Sequence, residues 1–299
     1  MQILTFISLI VTMFFWGGTF IACRMLAGSV QPAIAAFLRF AIASVVLLVI
    51  TRLAGGKLPR PSGKQWLLLA LLGATGVFGY NIFFFTGLHS INAGRASLII
   101  AGTPLVITLL ATIFLGELLT PRRFCGILLS LAGAAVVISN GHPGIILTAG
   151  FGPGEMALLG CVASWAAYSL IGRMVLTALS PLAAVCYSSI VGTLLLCWPA
   201  LHEGLLQQLP SLSMTDWVNL AYLGVCGTAL GFFWYYRGIK KIGAMRAGVF
   251  INLVPLFALL LARLLLDETI HPVVLGGGIL VLTGVTLTNS TGRKRPGRK

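Results

Sequence analysis

Residues 14–20 read FFWGGTF and residues 163–169 read ASWAAYS, two apolar segments centred on tryptophans that lie 149 positions apart. Further along the chain the same kind of match continues at a spacing of 151, so one two-residue insertion reconciles the two spacings. The matched residues are Trp16, Arg24, Met25, Pro32, Trp66, Gly73, Gly76, Gly87, Arg95, Pro104, Glu117, Gly126 and Gly133, which recur as Trp165, Arg173, Met174, Pro181, Trp217, Gly224, Gly227, Gly238, Arg246, Pro255, Glu268, Gly277 and Gly284. The chain therefore carries two copies of one unit.

The composition places both copies in a lipid bilayer. Hydrophobic residues make up 58% of the chain, charged residues 9%, and the mean hydropathy is +1.01, whereas soluble domains carry about 25% charged residues. A helix needs roughly 20 apolar residues to cross the hydrocarbon core. We predict an all-α integral membrane protein with ten transmembrane helices, at residues 3–26, 33–52, 66–88, 94–115, 123–140, 155–177, 182–201, 216–236, 246–266 and 272–289.

The basic residues predict the orientation of these spans. Sixteen of the 20 Lys and Arg residues fall on one side of the predicted membrane, only Arg24 and Arg95 on the other, and Arg39 and Arg263 lie within spans. By the positive-inside rule both termini face the cytoplasm. The net charge of +14 is then a consequence of topology, and we expect no nucleic-acid partner. Residues 3–23 carry no charge, which indicates a first membrane helix rather than a cleavable signal peptide.

Because each copy has five predicted spans, the second copy must insert upside down, as in many secondary transporters. We predict a first repeat at 1–140, an outward-facing Gly- and Pro-rich linker at 141–154, a second repeat at 155–290 and a basic cytoplasmic tail at 291–299.

A shared motif ends the fourth and ninth spans. Residues 116–121 read GELLTP and residues 267–272 read DETIHP, each after a span with an internal proline and before a short Gly-rich span. With the Trp-centred openings, these motifs resemble the EamA-type transporters of the drug/metabolite transporter superfamily, over both halves of the chain. The resemblance implies a ten-helix exporter with a central cavity lined by helices 1, 3, 4, 6, 8 and 9 and flanked by helices 5 and 10. It does not define the substrate, because members carry amino acids, other small metabolites and drugs.

Polar and aromatic residues near the middle of the spans are the candidates for substrate binding. A Trp or Tyr at that depth needs a hydrogen-bond partner or water, although anchoring at the membrane interface is the alternative interpretation for such residues. Two amides at that depth could bond the backbone groups of an amino acid, because a buried amide is costly unless satisfied. The predicted substrate-binding residues are Trp16, Tyr80, Asn81, Thr103, Trp165, Tyr168 and Asn252.

Two prolines lie inside predicted spans. Pro104 and Pro255 each remove a helical hydrogen bond and free the carbonyl four residues earlier, that of Ile100 or Ile251. We predict that they act as gating hinges that expose polar backbone to the cavity, and a static kink is the alternative.

Charges within the predicted spans are few. Arg39 either snorkels to the outer headgroups or meets a substrate carboxylate or a carbonyl, and Arg263 is spaced to pair with Asp267. The acidic residues all lie near span ends, where they would be ionised on both faces of the membrane; they are Glu117, Glu155, Glu203, Asp216, Asp267 and Glu268. We therefore expect facilitated diffusion or exchange rather than proton antiport.

The combined prediction is a multi-pass transporter of the inner (plasma) membrane that exports small metabolites, with amino acids favoured, by alternating access. The alternatives are a permease for drugs, purines or sugars, a passive channel, and a membrane enzyme. The four histidines fall in four different segments and the six cysteines form no C-x-x-C pair, so we predict no catalytic residue, metal or cofactor. Oligomeric state is not readable from the sequence, and we take a monomer as the expectation.

Overall fold

The computed structural model describes residues 2–53, 58–90, 99–139, 152–266 and 272–290, and every regular element within them is helical. The all-helical prediction is thereby confirmed for these residues. Arg95, most of the predicted linker, Asp267, Glu268 and the basic tail lie outside the described residues, as does the expected pairing of Arg263 with Asp267.

Three of the helices change type along their length, and the segments of each follow one another without a gap. Helix α3 contains a π-helix, α8 contains another, and α9 contains a 3₁₀ segment. The bounds are α1 Gln2–Leu26, α2 Pro32–Leu53, α3 Gly63–Leu72 with Gly73–Gly79 and Tyr80–Ser90, α4 Thr103–Leu115, α5 Pro121–Ile138, α6 Pro153–Val175, α7 Pro181–His202, α8 Met214–Tyr222 with Leu223–Leu230 and Gly231–Ile242, α9 Ala244–Gly248 with Val249–Leu253 and Val254–Leu266, and α10 Pro272–Asn289. Two short turns, Leu205–Gln208 and Leu209–Ser211, connect α7 to α8.

Local sequence explains where many of these helices begin. Helices α2, α5, α6, α7 and α10 start with proline, whose missing N–H costs nothing in the first turn. Ser62 and Ser213 start α3 and α8 with reciprocal capping boxes that use the side chains of Gln65 and Asp216.

Eight helices among the described residues are long and apolar enough to cross a membrane, and the apolar stretches Ile99–Leu115 and Leu275–Asn289 are shorter. The chain is thus a multi-pass helical membrane protein by length and composition, and the count of ten spans stays a prediction.

The contacts between the two halves of the chain follow a paired pattern. Helix α1 packs against α8 and α9, and α6 packs against α3 and α4; α2 packs against α7, and α5 against α10. Each helix has a repeat partner whose number is five higher or five lower, so that α1 corresponds to α6. Exchanging every helix for its repeat partner gives the same set of packed pairs. The repeated sequence units therefore occupy equivalent packing environments.

Helices α5 and α10 pack backbone against backbone. A Cβ built on Gly133 would lie 2.6 Å from the carbonyl oxygen of Gly277, and one on Gly126 would lie 2.8 Å from that of Gly284. Small residues permit this close approach. In lipid the hydrophobic effect does not drive helices together, so close van der Waals packing stabilises the contact instead. Gly126 and Gly277 are repeat partners, as are Gly133 and Gly284. The glycine pattern of both repeats is therefore used in the same contact, between α5 and α10.

The two π-helices occupy matching places in the repeats and were not predicted from the sequence. Gly73 begins the first and lies against Val191 of α7, while Gly224 in the second lies against Ile42 of α2. Both glycines thus permit close helix packing, and the widened turns are an additional feature. Such π turns are rare and often occur at functional sites.

We expect Gly133→Ala to lower the stability of the protein by about 1–3 kcal/mol, because the added methyl group meets the backbone of α10 on two sides and cannot be accommodated by a rotamer change. Gly276→Ala is the matched control, since a Cβ there meets nothing within 4 Å. The midpoint of thermal unfolding of the purified protein in detergent measures both. Equal midpoints for the two variants would contradict the backbone-to-backbone contact.

Candidate functional site: a cavity between the halves

A cavity of about 350 Å³ lies where the two halves meet, within the range of roughly 300–1,000 Å³ typical of small-molecule sites. Most of its wall comes from the first half of the chain. The lining residues are Trp16, Thr19, Phe20, Cys23, Arg39, Phe40, Gly76, Tyr80, Asn81, Phe84, Phe85, Ile100, Ala101, Thr103, Val137, Ile138, Trp165, Phe232, Ile251, Val254, Pro255, Ala258 and Leu259. Helices α2 and α5 thus contribute to the wall, in addition to the six helices that the family resemblance implied.

The two repeat-related tryptophans meet at the base of the cavity. The rings of Trp16 and Trp165 pack edge to face with centroids 5.2 Å apart. Tyr80 and Phe232 pack edge-on against Trp165 at 5.5 and 5.2 Å. Edge-to-face pairs at these separations are favourable beyond the area they bury, so this aromatic cluster forms a fixed floor to which both halves contribute.

The two indole N–H groups are used differently. Nε1 of Trp16 donates a 2.8 Å hydrogen bond to the carbonyl oxygen of Gly227, within the π-helix of α8. Nε1 of Trp165 is buried with no hydrogen-bond partner among the described residues. Trp16 is therefore hydrogen-bonded to a π-helix of the other half, whereas the indole N–H of Trp165 makes no such bond to a described residue.

Two polar residues of the wall are turned toward their own backbone. The Asn81 side-chain amide donates to the carbonyl oxygen of Val77 at 2.6 Å, and the Thr103 hydroxyl donates to that of Ile100 at 2.5 Å. Each side chain keeps an oxygen that can accept hydrogen bonds, and the Asn81 amide also keeps a second N–H.

The structure places the two prolines at interruptions of the regular α-helix. Pro104 lies in the first turn of α4, after a turn at Gly102, and Pro255 directly follows the 3₁₀ segment of α9, so both stand at breaks in the regular α-helix. The Ile100 carbonyl accepts from Thr103, and the Ile251 carbonyl accepts from the N–H of residue 254. The carbonyls that the prolines free each have a partner already, and the gating role of Pro104 and Pro255 stays a prediction.

Five of the seven predicted substrate-binding residues line the cavity, and two do not. Tyr168 is fully buried behind the floor, with its ring against Gly76 and its carbonyl accepting from Tyr236. Asn252 faces α5 and donates to the Ser130 hydroxyl at 2.9 Å. Its neighbour Ile251 shares the cavity face with residues 254, 255 and 258, and the next position along a helix points about 100° away.

Arg39 is the charged residue of the wall among the described residues, and its position in a predicted span is the signal that made it a candidate in the sequence. Nε donates to the Thr228 hydroxyl at 2.6 Å, and that hydroxyl donates to the carbonyl oxygen of Leu223 in the π-helix of α8. The guanidinium carbon lies 5.2 Å from the centre of the Phe40 ring. Arg39 therefore points into the protein and is held by the other half of the chain, rather than snorkelling to the headgroups.

The described carboxylates all accept backbone N–H groups at helix starts, away from the cavity. The distances are 2.7 Å from Glu117 to Ala244, 2.7 Å from Glu203 to Ala33, 2.8 Å from Glu155 to Gly152 and 2.9 Å from Asp216 to Ser213. A helix N-terminus carries a partial positive charge that stabilises an anion. The cavity wall consequently contains a cation and, among the described residues, no carboxylate.

Glu117 shows what the GELLTP motif does. Gly116 ends α4 in the left-handed conformation, at a φ of 64°, which turns the following side chain toward α9. Both oxygens of Glu117 then accept from the first turn of α9, from Ala244 at 2.7 Å and Met245 at 3.1 Å. A Cβ on Gly243 would lie 2.7 Å from the carboxylate, so the motif needs glycine on both sides of this contact between the halves.

The fold and the cavity are those of a multi-pass helical membrane protein with room for a small molecule between its halves. The sequence model of the EamA-like transporter family matches residues 3–139 and again residues 152–290. The chain therefore belongs to the EamA-like transporter family, which confirms the prediction of a transporter rather than an enzyme.

Individual relatives span nearly the whole chain. A probable terminal-alkyne amino-acid exporter of Streptantibioticus cattleyicolor is 29% identical over 98% of this chain and 97% of its own. The uncharacterized transporter YyaM of Bacillus subtilis is 28% identical over 91% and 88%, and the aromatic amino acid exporter YddG of Ancylobacter novellus is 26% identical over 78% and 79%. One protein of known crystal structure superposes with a TM-score of 0.81 over 97% of this chain and 98% of that one, at 21% identity, which shows the shared fold.

We expect Trp16→Phe to destabilise the protein by about 1 kcal/mol more than Trp165→Phe. Both changes remove the same ring volume from the aromatic floor, but only the first removes a formed hydrogen bond and leaves the Gly227 carbonyl without its donor. Thermal unfolding of the two variants beside the parent protein gives the difference. A Trp165→Phe variant as unstable as Trp16→Phe would show that the bond from Trp16 to the π-helix contributes nothing.

Proposed function

We propose that this protein exports amino acids across the inner (plasma) membrane by alternating access. The observation that carries the proposal is the cavity between the two repeat-related halves, floored by Trp16 and Trp165. We propose further that ten spans form two inverted five-helix repeats, at 1–140 and 155–290, joined by the linker 141–154 and ending in the tail 291–299. Both termini then face the cytoplasm, as the distribution of Lys and Arg favours, and one chain suffices for the cavity.

The position of the cavity supports alternating access. The cavity extends along α1 from Trp16 to Cys23, an exposed residue near the end of that helix. On α4 it touches Thr103 at the start, while Glu117 joins α9 beyond the other end, about 20 Å away at 1.5 Å per residue. The site thus extends toward the predicted outer side. The halves are joined on the predicted inner side by Glu117 and α9 and on the predicted outer side by Glu203 and α2, and we propose that the Glu117 contact closes the inner side.

Amino acids are favoured over other metabolites by two kinds of observation. Two relatives with matching length are named as amino-acid exporters. The wall combines a cation with side-chain oxygens at Asn81 and Thr103 and with aromatic faces, which suits a small molecule that carries a carboxylate and an apolar side chain.

The placement of the acids favours exchange or facilitated diffusion over proton antiport. Each described carboxylate is bound to a helix N-terminus, and none is in the wall, whereas proton-coupled carriers use titratable groups within the membrane. Asp267 and Glu268 lie outside the described residues and are expected near a span end.

Counterflow in proteoliposomes tests the proposal. Vesicles preloaded with unlabelled phenylalanine and diluted into radiolabelled phenylalanine should accumulate label transiently above its equilibrium level, because a carrier exchanges one molecule for another. With the membrane potential clamped, an imposed pH gradient alone should produce no accumulation of this net-neutral substrate.

The other outcomes separate the alternatives. Equilibration of label without a transient overshoot would indicate a channel. Overshoot with a purine or a sugar, and with no amino acid tested, would replace the proposed substrate class. Accumulation driven by the pH gradient alone would show that a proton is coupled after all.

A further inference from the structure

The cavity holds a charge that the described protein residues do not balance. Arg39 is half-buried in the wall, and each described carboxylate is bound at a helix start elsewhere. A buried charge is costly unless it is paired and hydrogen-bonded. The missing counter-charge is therefore one that the occupant of the cavity would bring.

The guanidinium is oriented so that its fork is free. Nε is occupied by the Thr228 hydroxyl, and no other hydrogen bond from Arg39 to a described residue is formed. The two terminal nitrogens of an arginine can donate parallel hydrogen bonds to one carboxylate. The bond through Thr228 to the π-helix of α8 fixes the plane of that fork.

The second half of the chain has no cation at the position that corresponds to Arg39, so the packing of the repeat does not require one. The residue at the repeat position of Arg39 is Ser188, and the residue at that of Thr19 is Tyr168. Thr19 leaves room beside Arg39 in the cavity wall, whereas Tyr168 is fully buried and fills the corresponding space against Gly76. The fold therefore retains an open, charged pocket in one half and closes its counterpart in the other.

The remainder of the wall offers no negatively charged group among the described residues, and its polar acceptors, such as the side-chain oxygens of Asn81 and Thr103, are neutral. Its large side chains include Phe20, Phe84 and Phe232, and the described residues add no carboxylate to it. An ammonium group in the cavity would meet ring faces and neutral oxygens, which interact with it weakly compared with an ion pair.

We infer that Arg39 is the carboxylate anchor of the transport site, so that the substrate class is an apolar monocarboxylate in which the α-ammonium group is not required for binding. This inference rests on the proposed transport function and extends it. Amino acids with apolar side chains and their des-amino acids then share one site, and the carboxylate sets their orientation.

Equilibrium binding to the purified protein tests this assignment with 3-phenylpropionate as the radiolabelled probe. Arg39→Gln should weaken its binding at least tenfold, and Arg39→Lys should weaken it severalfold, because lysine keeps the charge but not the fork. Arg52→Gln, an exposed position at the far end of the same helix, is the matched control and should bind as the parent protein does.

Competition by unlabelled analogues completes the test. In the parent protein, phenylalanine should compete within about threefold of 3-phenylpropionate, and the uncharged 3-phenylpropanamide at least tenfold more weakly. If Arg39→Gln does not fold, the Arg39→Lys variant and the acid-to-amide comparison decide the matter alone.

Equal affinity in Arg39→Gln and Arg52→Gln, equal competition by the acid and the amide, or no saturable binding of the probe would each overturn the anchor. Phenylalanine competing at least tenfold better than 3-phenylpropionate would overturn the dispensable ammonium. Binding is measured without transport, so a failure of counterflow with intact carboxylate binding would reject only the proposed function, and the reverse would reject only this inference.

Discussion

The constraint on which the rest of the structure depends is that a charge away from water must be satisfied within the molecule. Each described carboxylate satisfies this constraint at the start of a helix, where it accepts backbone N–H groups and is stabilised by the helix dipole. Two of these contacts, from Glu117 to α9 and from Glu203 to α2, also join one half of the chain to the other. Arg39 has no such anion among the described residues, and its one hydrogen bond, to Thr228, leaves it in the cavity wall. The paired carboxylates thus belong to the scaffold, and the arginine without a described counter-charge belongs to the site.

Symmetry and its breaking have different physical roles in this protein. The repeated features are those that bring helices together: the glycines between α5 and α10, the paired π-helices and the contact between Trp16 and Trp165. Small residues and matched helix contacts suffice for a duplicated unit to pack against its own copy. The features that differ between the halves, Arg39 against Ser188 and Thr19 against Tyr168, lie at the cavity. A site built this way can change its ligand while the scaffold between the halves remains.

Much of the fold could be predicted from the sequence, because a chain that crosses lipid must satisfy its backbone hydrogen bonds internally. Hydropathy and the repeat predicted the helices, and the GELLTP motif predicted the family that the comparisons show. The wall residues Trp16, Tyr80 and Trp165 were found because aromatic rings at mid-span need polar partners. Tyr168 and Asn252 lie outside the wall, since Tyr168 is buried one turn beyond Trp165 and Asn252 follows Ile251 in a 3₁₀ segment of α9 that was not foreseen. The π-helices had no signal beyond glycine spacing, which close packing also explains. The orientation of Arg39 depended on Thr228, 189 residues away along the chain.

The measurement that tests the central claim most directly is the sidedness of Cys23 in sealed membrane vesicles. Cys23 lines the cavity and is exposed, while Glu117 contacts α9 at the opposite end, which we propose is the closed side. A membrane-impermeant thiol reagent should modify Cys23, identified by peptide mass spectrometry, in right-side-out vesicles and far more slowly in inverted ones. Glu117→Gln should slow the outside reaction severalfold, because it weakens the contact that favours this conformation, and Glu155→Gln, which alters a carboxylate within one half, should not. Faster modification of Cys23 from the inside, or equal rates in the two variants, would contradict an outward-open cavity closed on the inner side by Glu117.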